Sequence, residues 1–215
     1  MTRLAVFDCD GTLVDSSADV VISMEQAFAR AGLQAPDGNV VRRMVGLSLP
    51  VAVRHLAPEA EAEQQREVVE FYKAIFRGRR EDGLLEEPLY DGMADLLRTL
   101  HADGWALAVA TGKSDRGLQA CLDGHGLTDL FVSLQTADRH PSKPHPAMLE
   151  AALFEAGAQP SDTVMIGDTT FDIHMANAAN VRSLGVAWGY HEPSELTQAG
   201  AEAVADTMAD LEALL

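Results

Sequence analysis

The sequence predicts an α/β fold in which a helical insertion interrupts a central parallel sheet. Four short apolar runs, at residues 4–7, 105–110, 163–166 and 181–186, are typical of buried strands. Two weaker runs, 130–134 and 202–205, are candidates for a fifth and a sixth strand. Segments with apolar residues at helical spacing separate these runs. Strands that alternate with helices indicate βαβ units and a parallel sheet.

The segment from Ser17 to about Pro88 breaks this alternation, because it contains no convincing strand. Apolar side chains recur there at helical spacing over residues 20–31 and 68–76, and a shorter helix is predicted at 49–56. We therefore expect an all-helical cap domain at residues 17–87. The core domain would then consist of residues 1–16 and 88–215.

Two aspartates, Asp8 and Asp10, directly follow the first apolar run, and Gly11 and Thr12 come next. Carboxylates at the end of a buried strand repel each other and resist desolvation unless a positive charge neutralises them. Mg²⁺ is a natural neutraliser, since proteins typically hold it with one or two carboxylates plus substrate phosphate. For this motif alone, an ordinary acidic turn is the alternative, because Asp and Gly are common in turns.

Polar residues also follow later strands or precede later helices. They are Thr111, Gly112 and Lys113 after the run 105–110, Asp168 and Asp172 after the run 163–166, and Lys143 before a helical pattern. In open α/β sheets, ligands bind outside the carboxyl ends of the strands, so these groups should converge on one crevice. Each motif also has a structural explanation, such as a turn, a solvated lysine or a helix cap. Their joint occurrence in this order favours one site.

The motifs together resemble those of the haloacid dehalogenase superfamily, in the group of phosphatases with a helical cap after the first motif. Within that group the chain is similar to phosphoglycolate phosphatases. The four matching motifs are Asp8-Cys9-Asp10-Gly11-Thr12, Ala110-Thr111-Gly112, Lys143-Pro144 and Gly167-Asp168-Thr169-Thr170-Phe171-Asp172. The resemblance covers essentially the whole chain and implies a Rossmann-like core with an all-α cap. Its motifs are specific for the superfamily and its metal chemistry, and only weakly specific for the substrate.

The resemblance also implies a role for each motif residue. Asp8 would attack phosphorus and form an aspartyl-phosphate, and Asp10 would protonate the leaving alkoxide and later take a proton from water. Mg²⁺ would be held by Asp8, the Asp10 carbonyl and Asp168, with Asp172 in or near the coordination sphere. The residues expected to bind the phosphoryl oxygens are Thr111, Gly112 and Lys143.

Specificity should lie in the cap. The resemblance places the loop that carries Gly46 over the active site, where it would contact the leaving group. Arg43 is a candidate second contact for an anion, with a solvent-exposed arginine as the alternative reading. Lys113 is expected to contact a distal carboxylate or phosphate of the substrate.

The leading functional hypothesis is a Mg²⁺-dependent phosphomonoesterase for a small phosphorylated metabolite, with phosphoglycolate as the first choice of substrate. A phosphomutase similar to beta-phosphoglucomutase, or a pyrophosphatase of the same build, remains open. Dehalogenation is disfavoured by Asp10, and phosphonate hydrolysis would need a cap lysine, of which Lys73 is the only example. A non-catalytic binding protein on this fold is a further alternative.

Composition narrows the cellular context. The 215 residues carry a formal net charge of −17, which disfavours binding to nucleic acid or anionic membranes. There is no apolar run of membrane-spanning length, and no signal peptide is expected before the first strand. The two cysteines, Cys9 and Cys121, do not form a disulfide framework or zinc cluster, and we expect both to be buried. A cytoplasmic location fits, and a monomer and a homodimer are both open.

Overall fold

The computed structural model describes residues 2–215. Its six strands are β1 (Leu4–Phe7), β2 (Ala106–Thr111), β3 (Phe131–Thr136), β4 (Thr163–Gly167), β5 (Arg182–Val186) and β6 (Ala203–Ala205). They form one sheet in the order β3-β2-β1-β4-β5-β6, and every neighbouring pair is parallel. All six predicted strands are confirmed, with ends shifted by at most two residues.

The segment between β1 and β2 contains helices only, as its pattern predicts. These are α1 (Ser17–Arg30), α2 (Gly38–Arg43), α3 (Leu49–Leu56), α4 (Ala62–Glu81) and α5 (Met93–Ala102). Helices α1 to α4 share a hydrophobic cluster that includes Phe28, Val53 and Val68, whereas α5 buries Met93 and Leu97 in the cluster of the sheet. The expected domain boundaries at 16/17 and 87/88 stay a prediction.

The remaining helices cover the two faces of the sheet. They are α6 (Asp115–His125), α7 (Ala147–Ala156), α8 (Thr170–Ala178), α9 (Pro193–Ala199) and α10 (Met208–Leu214). Helices α5, α6 and α10 pack on one face, and α7 and α8 pack on the other. Because both faces are covered, every residue of β1 is fully buried. Cys9 and Cys121 are buried, free thiols, as expected. Within residues 2–215, no helix combines the length and apolarity that crossing a bilayer requires.

The strand register sets the position of the site. Phe7, the last residue of β1, pairs with Val109 of β2 and with Ile166 of β4. The amide of Asp8 continues this ladder and donates to the Ile166 carbonyl at 2.9 Å. The residues just past β1, β2 and β4 therefore lie together at the carboxyl edge of the sheet.

Candidate active site

A buried cluster of three carboxylates and one lysine lies at this edge of the sheet. One carboxylate oxygen from each of Asp8, Asp168 and Asp172 lies within 4.8 Å of the others. The Lys143 ammonium lies 2.8 Å from Asp8 Oδ1 and 2.6 Å from Asp172 Oδ1. The side chains of Lys143, Asp8 and Asp172 have no solvent-exposed surface. The structure thus brings together four of the residues that the sequence assigned to catalysis and metal binding.

Hydrogen bonds hold two of these carboxylates in place. Asp168 accepts from the Thr12 hydroxyl and from the Tyr190 amide, each at 2.9 Å. Asp172 Oδ2 accepts from the amide and the hydroxyl of Thr169, at 3.1 and 2.7 Å, which makes a capping box at the start of α8. Asp172 therefore caps its helix and pairs with Lys143, so its cap role does not exclude a place in the site.

Asp8 differs from its neighbours because one of its oxygens is unused. Its Oδ1 accepts from the Cys9 amide at 2.6 Å as well as from Lys143. Its Oδ2 is buried and has no hydrogen-bond partner among residues 2–215. A buried carboxylate oxygen without a partner is costly, so its lone pairs are available to a cation or to an electrophile.

Burial dominates the electrostatics of the cluster. It raises the pKa of Asp8 to about 7, with Lys143 opposing and Asp172 adding to the shift. Burial, together with the negative charges of Asp8 and Asp172, also raises the pKa of Asp168 well above its usual value. Burial lowers the pKa of Lys143, but Asp172 and Asp8 outweigh it and the net shift is upward. The carboxylates thus need more positive charge than Lys143 supplies.

Gly11 allows the loop after β1 to pass this closely. Its φ is +84°, in the region that favours glycine, and an added Cβ would lie 2.2 Å from Asp168 Oδ2. A side chain at this position would therefore displace a carboxylate of the cluster. The glycine of the first motif is thus explained by close contact between the loop and Asp168.

Asp10 lies outside the cluster and has different partners. Its carboxylate accepts from the Ser16 hydroxyl and lies 2.9 Å from the Lys113 ammonium. Lys113 also lies 2.6 Å from Glu87 Oε1, and Arg80 lies 2.6 Å from the other oxygen of Glu87. Asp8 and Asp10, two residues apart in sequence, thus each face a different lysine.

The loop that carries Gly46 approaches the end of β2. A Cβ built on Gly112 would lie 2.7 Å from the Gly46 carbonyl oxygen and 2.5 Å from that of Leu47. The Ser48 amide also donates to the Ser142 hydroxyl at 2.8 Å, next to Lys143. Thr111 ends β2, is buried, and its hydroxyl oxygen accepts from the Lys113 amide at 3.2 Å. The sequence-predicted residues Gly46, Thr111 and Gly112 therefore lie close together.

Arg43 is the predicted site residue that the structure places apart. Its guanidinium makes two hydrogen bonds to Glu195 of α9, at 2.8 and 3.0 Å, and these lower the pKa of Glu195 to about 2. The Arg43 side chain is 43% exposed and does not line the cavity beside Asp10. In this conformation its charge is engaged by a carboxylate of the core.

Comparison with known proteins places the chain in a family. The model of the haloacid dehalogenase-like hydrolases matches residues 5–186, most of the chain. The chain belongs to this family. It is 35% identical to the "Probable phosphatase IndB" of Dickeya dadantii over 98% of this chain and 92% of the relative. It is 30% identical to a phosphoglycolate phosphatase of Vibrio vulnificus, over 97% and 94%. The crystal structure of a predicted phosphoglycolate phosphatase from Haemophilus somnus has a TM-score of 0.86 at 26% identity, covering 99% and 97%.

The donor set of this hydrolase fits a divalent cation. With all groups ionised, Asp8, Asp168 and Asp172 carry three negative charges and Lys143 carries one positive charge, so the cluster has a net charge of −2. The unpartnered Asp8 Oδ2 adds a free oxygen ligand. A hard cation with an all-oxygen shell, such as Mg²⁺, matches both the charge and the ligand chemistry.

Some contacts of the site lie beyond the sequence motifs. Glu87 forms an ion pair with Lys113, and the Tyr190 amide donates a hydrogen bond to Asp168. His191 accepts from the Thr170 amide through Nδ1 at 3.2 Å, so its Nε2 proton is free to be donated to the Arg43 carbonyl at 3.1 Å. The sequence separation between these residues and their partners follows no motif. The order of the strands does not predict these contacts either.

Proposed function

We propose that this hydrolase is a Mg²⁺-dependent phosphomonoesterase that acts on a small phosphorylated metabolite through an aspartyl-phosphate. The observation that carries the proposal is the buried cluster of Asp8, Asp168, Asp172 and Lys143, which has an unpartnered Asp8 oxygen and, with all four groups ionised, a net charge of −2. Relatives named as phosphatases support the same reaction class.

The metal site would use the carboxylates of Asp8, Asp168 and Asp172, with the Asp10 carbonyl as a further ligand by family resemblance. When bound, Mg²⁺ would neutralise these carboxylates and polarise the phosphoryl oxygens. Lys143 contacts Oδ1 of Asp8 and leaves Oδ2 without a partner among residues 2–215. Without a bound cation, an incoming phosphate dianion would meet the uncompensated negative charge of the cluster.

The first chemical step transfers the phosphoryl group to the protein. A carboxylate oxygen of Asp8 attacks phosphorus, and the bond between phosphorus and the alcohol oxygen breaks. Asp10 gives its proton to the departing oxygen, which leaves as the alcohol. The Thr111 hydroxyl, the Gly112 amide and Lys143 are the proposed donors to the phosphoryl oxygens. Losing one donor of this type typically costs about 3 kcal/mol of barrier.

The second step returns Asp8 to its starting state. The Asp10 carboxylate takes a proton from water while the water oxygen attacks phosphorus. The bond between phosphorus and the Asp8 oxygen breaks, and inorganic phosphate leaves. The environment of Asp10 supports this role, because its carboxylate contacts Lys113 and the residue lines the cavity. Asp10 is also absent from the three-carboxylate cluster.

The test is phosphate release from a panel of phosphate esters and pyrophosphate, with and without Mg²⁺. We expect Mg²⁺-dependent release that Asp8→Asn abolishes without loss of folding. The control is Asp95→Asn, at a carboxylate that is 89% exposed on α5. Asp10→Asn should slow alkyl phosphates more than activated aryl phosphates, because only the former need a proton on the leaving oxygen. Near-normal turnover by Asp8→Asn would contradict the mechanism, and isomerisation of a sugar phosphate without release would identify a phosphomutase.

A further inference from the structure

A cavity of about 460 Å³ adjoins the proposed general acid. Asp10, Gly112 and Lys113 line one end of it, and helices α1 to α4 supply most of the remaining wall. Because Asp10 would protonate the leaving oxygen, the group attached to that oxygen must enter this space. The alcohol part of the substrate therefore binds in this cavity, and its residues indicate the chemistry of that part. This inference rests on the proposed phosphatase function.

The wall that the helical insertion contributes is predominantly apolar. The side chains that form it include Met24, Val41, Met44, Val45, Leu56 and Phe76. Met24, Val41 and Val45 are almost fully buried in the hydrophobic cluster of α1 to α4. The apolar surface that the wall leaves accessible therefore comes from Met44, Leu56 and Phe76, which are half-buried. A wall of this kind favours a ligand that removes apolar surface from water.

The cations at the inner end of the cavity are already paired. Lys113 contacts both Asp10 and Glu87, and Arg80 contacts Glu87. Arg43 is held by Glu195 away from the cavity. A carboxylate on the substrate would have to compete with these acidic side chains. The inner end thus offers a small organic acid such as glycolate no uncommitted positive charge among these three residues.

Three further cations line the cavity where it is open to solvent. Lys73, Arg77 and Arg116 are exposed. Lys73 lies 2.8 Å from Glu70 and Arg116 lies 3.7 Å from Glu81, so these two add little net positive charge at the opening. Exposed cations guide an anion but contribute little binding energy, because water screens them.

The size of the cavity also favours a leaving group larger than glycolate. Pockets of about 300–1,000 Å³ enclose ligands of drug size, and this cavity lies within that range. A two-carbon acid would leave most of it empty and most of its apolar wall uncovered. A six-membered ring would contact the wall beside Phe76, whose ring already stacks on Tyr72 at 5.5 Å.

We propose that the substrate of this enzyme is a phosphomonoester whose alcohol carries an apolar body the size of an aromatic ring, and that glycolate is not its preferred leaving group. The cavity between the helical insertion and Asp10 binds this body. Its apolar wall supplies the specificity. The phosphate remains at the carboxylate cluster.

The experiment compares ethyl phosphate, 2-phenylethyl phosphate and phosphoglycolate with Mg²⁺ present. The first two have alkoxide leaving groups of similar basicity, so their difference in kcat/KM reports binding of the phenyl group. Because one methylene in an apolar pocket changes specificity about 10-fold or more, we expect 2-phenylethyl phosphate to exceed ethyl phosphate at least about 10-fold. Phosphoglycolate should show no comparable advantage.

Variants locate the effect in the cavity. Met44→Trp, which fills the space beside α2, should reduce the ratio of kcat/KM for 2-phenylethyl over ethyl phosphate. Leu56→Trp tests the same point from α3 if Met44→Trp does not fold. The matched control is Val40→Trp, on the same helix as Val41 but 48% exposed and outside the cavity lining, which should leave the ratio unchanged.

The outcomes separate this inference from the proposed function. Equal kcat/KM for ethyl and 2-phenylethyl phosphate, or a 10-fold preference for phosphoglycolate, would overturn the inference while leaving the phosphatase function intact. Absence of phosphate release from all three esters would contradict the phosphatase function. In that event, calorimetric binding of ethyl and 2-phenylethyl phosphate to Asp8→Asn decides the inference, because equal affinities would refute an apolar leaving-group site.

Discussion

Lys143 is the residue whose removal should most clearly expose the electrostatics of the site. Its ammonium lies 2.8 Å from Asp8 and 2.6 Å from Asp172, and the lysine is 1% exposed. Lys143→Met keeps the length and the apolar stem but removes the charge. Three buried carboxylates then remain without their compensating cation, while the loss in packing is small.

The expected cost is large and depends on pH. Removing one partner of a buried ion pair typically costs about 3–5 kcal/mol. At about 2–4 °C per kcal/mol for a domain of this size, the melting temperature should fall by about 6–20 °C at pH 8. Burial already raises the pKa of Asp8 to about 7, and losing Lys143 raises it further. The carboxyl of Asp8 has a higher pKa in the folded chain than in the unfolded chain, so its protonation stabilises the fold at low pH. This stabilisation is complete below the pKa of the unfolded chain and is lost as the pH rises through the pKa of the folded chain. The deficit of the variant should therefore be much smaller at pH 5 than at pH 8.

Thermal unfolding followed by circular dichroism, in EDTA at both pH values, measures this deficit. The control is Lys73→Met, which removes an exposed lysine paired with Glu70 on one helix and should change stability by no more than about 0.5 kcal/mol. A melting temperature for Lys143→Met within 2 °C of the wild type at pH 8 would refute the reasoning, given that about 2–4 °C corresponds to 1 kcal/mol. A deficit of equal size at pH 5 and pH 8 would refute its electrostatic origin.

Three further predictions concern the loop, the insertion and the metal. Gly112→Ala should lower kcat/KM at least about 10-fold, because the added Cβ would lie 2.5 Å from the Leu47 carbonyl oxygen and displace the loop. The control is Gly124→Ala, whose added Cβ has no neighbour within 4 Å and should not lower kcat/KM. Steady-state kinetics test this, and equal rates for the two variants would contradict it. Arg43→Ala should change kcat/KM less than about threefold, because its ion pair lies outside the cavity; a 30-fold loss would show that it binds substrate. The affinity for Mg²⁺, measured by calorimetry, should rise with pH up to about 7, because burial raises the pKa of Asp8 to that value and the cation must displace the proton. An affinity that does not change between pH 5.5 and pH 8 would contradict this prediction.

The fold and the inner site could be predicted because their signals are local. Each strand is a short apolar run, and the residue after β1, Asp8, must meet the residues after β2 and β4 since parallel strands end at one edge. The pairing of Lys143 with both Asp8 and Asp172 was not predictable in detail, although its presence near them was. Its loop lies between β3 and α7, and the length of that loop determines how far the ammonium reaches.

The contacts of the helical insertion could not be predicted in the same way. Arg43 and Glu195 are separated by 152 positions, and their contact depends on how α2 lies against α9. Lys113 stays a predicted substrate contact, and its ion pairs with Asp10 and with Glu87, 26 positions earlier, were not predicted. Neither partner has a periodic or motif signal. A sequence pattern specifies which face of an element is buried, but not which distant side chain meets a charge at its end.

The pairing of each aspartate with its own lysine explains how one residue type can serve two roles. Asp8 shares Lys143 with Asp172 inside a cluster that is closed to solvent, and one of its oxygens is left unused. Asp10 shares Lys113 with Glu87 at the end of an open cavity. Nucleophilic attack needs a carboxylate with a free oxygen next to compensating positive charge, whereas proton transfer needs a carboxyl that faces the leaving oxygen. The residue types are identical, so the difference in role must come from these environments.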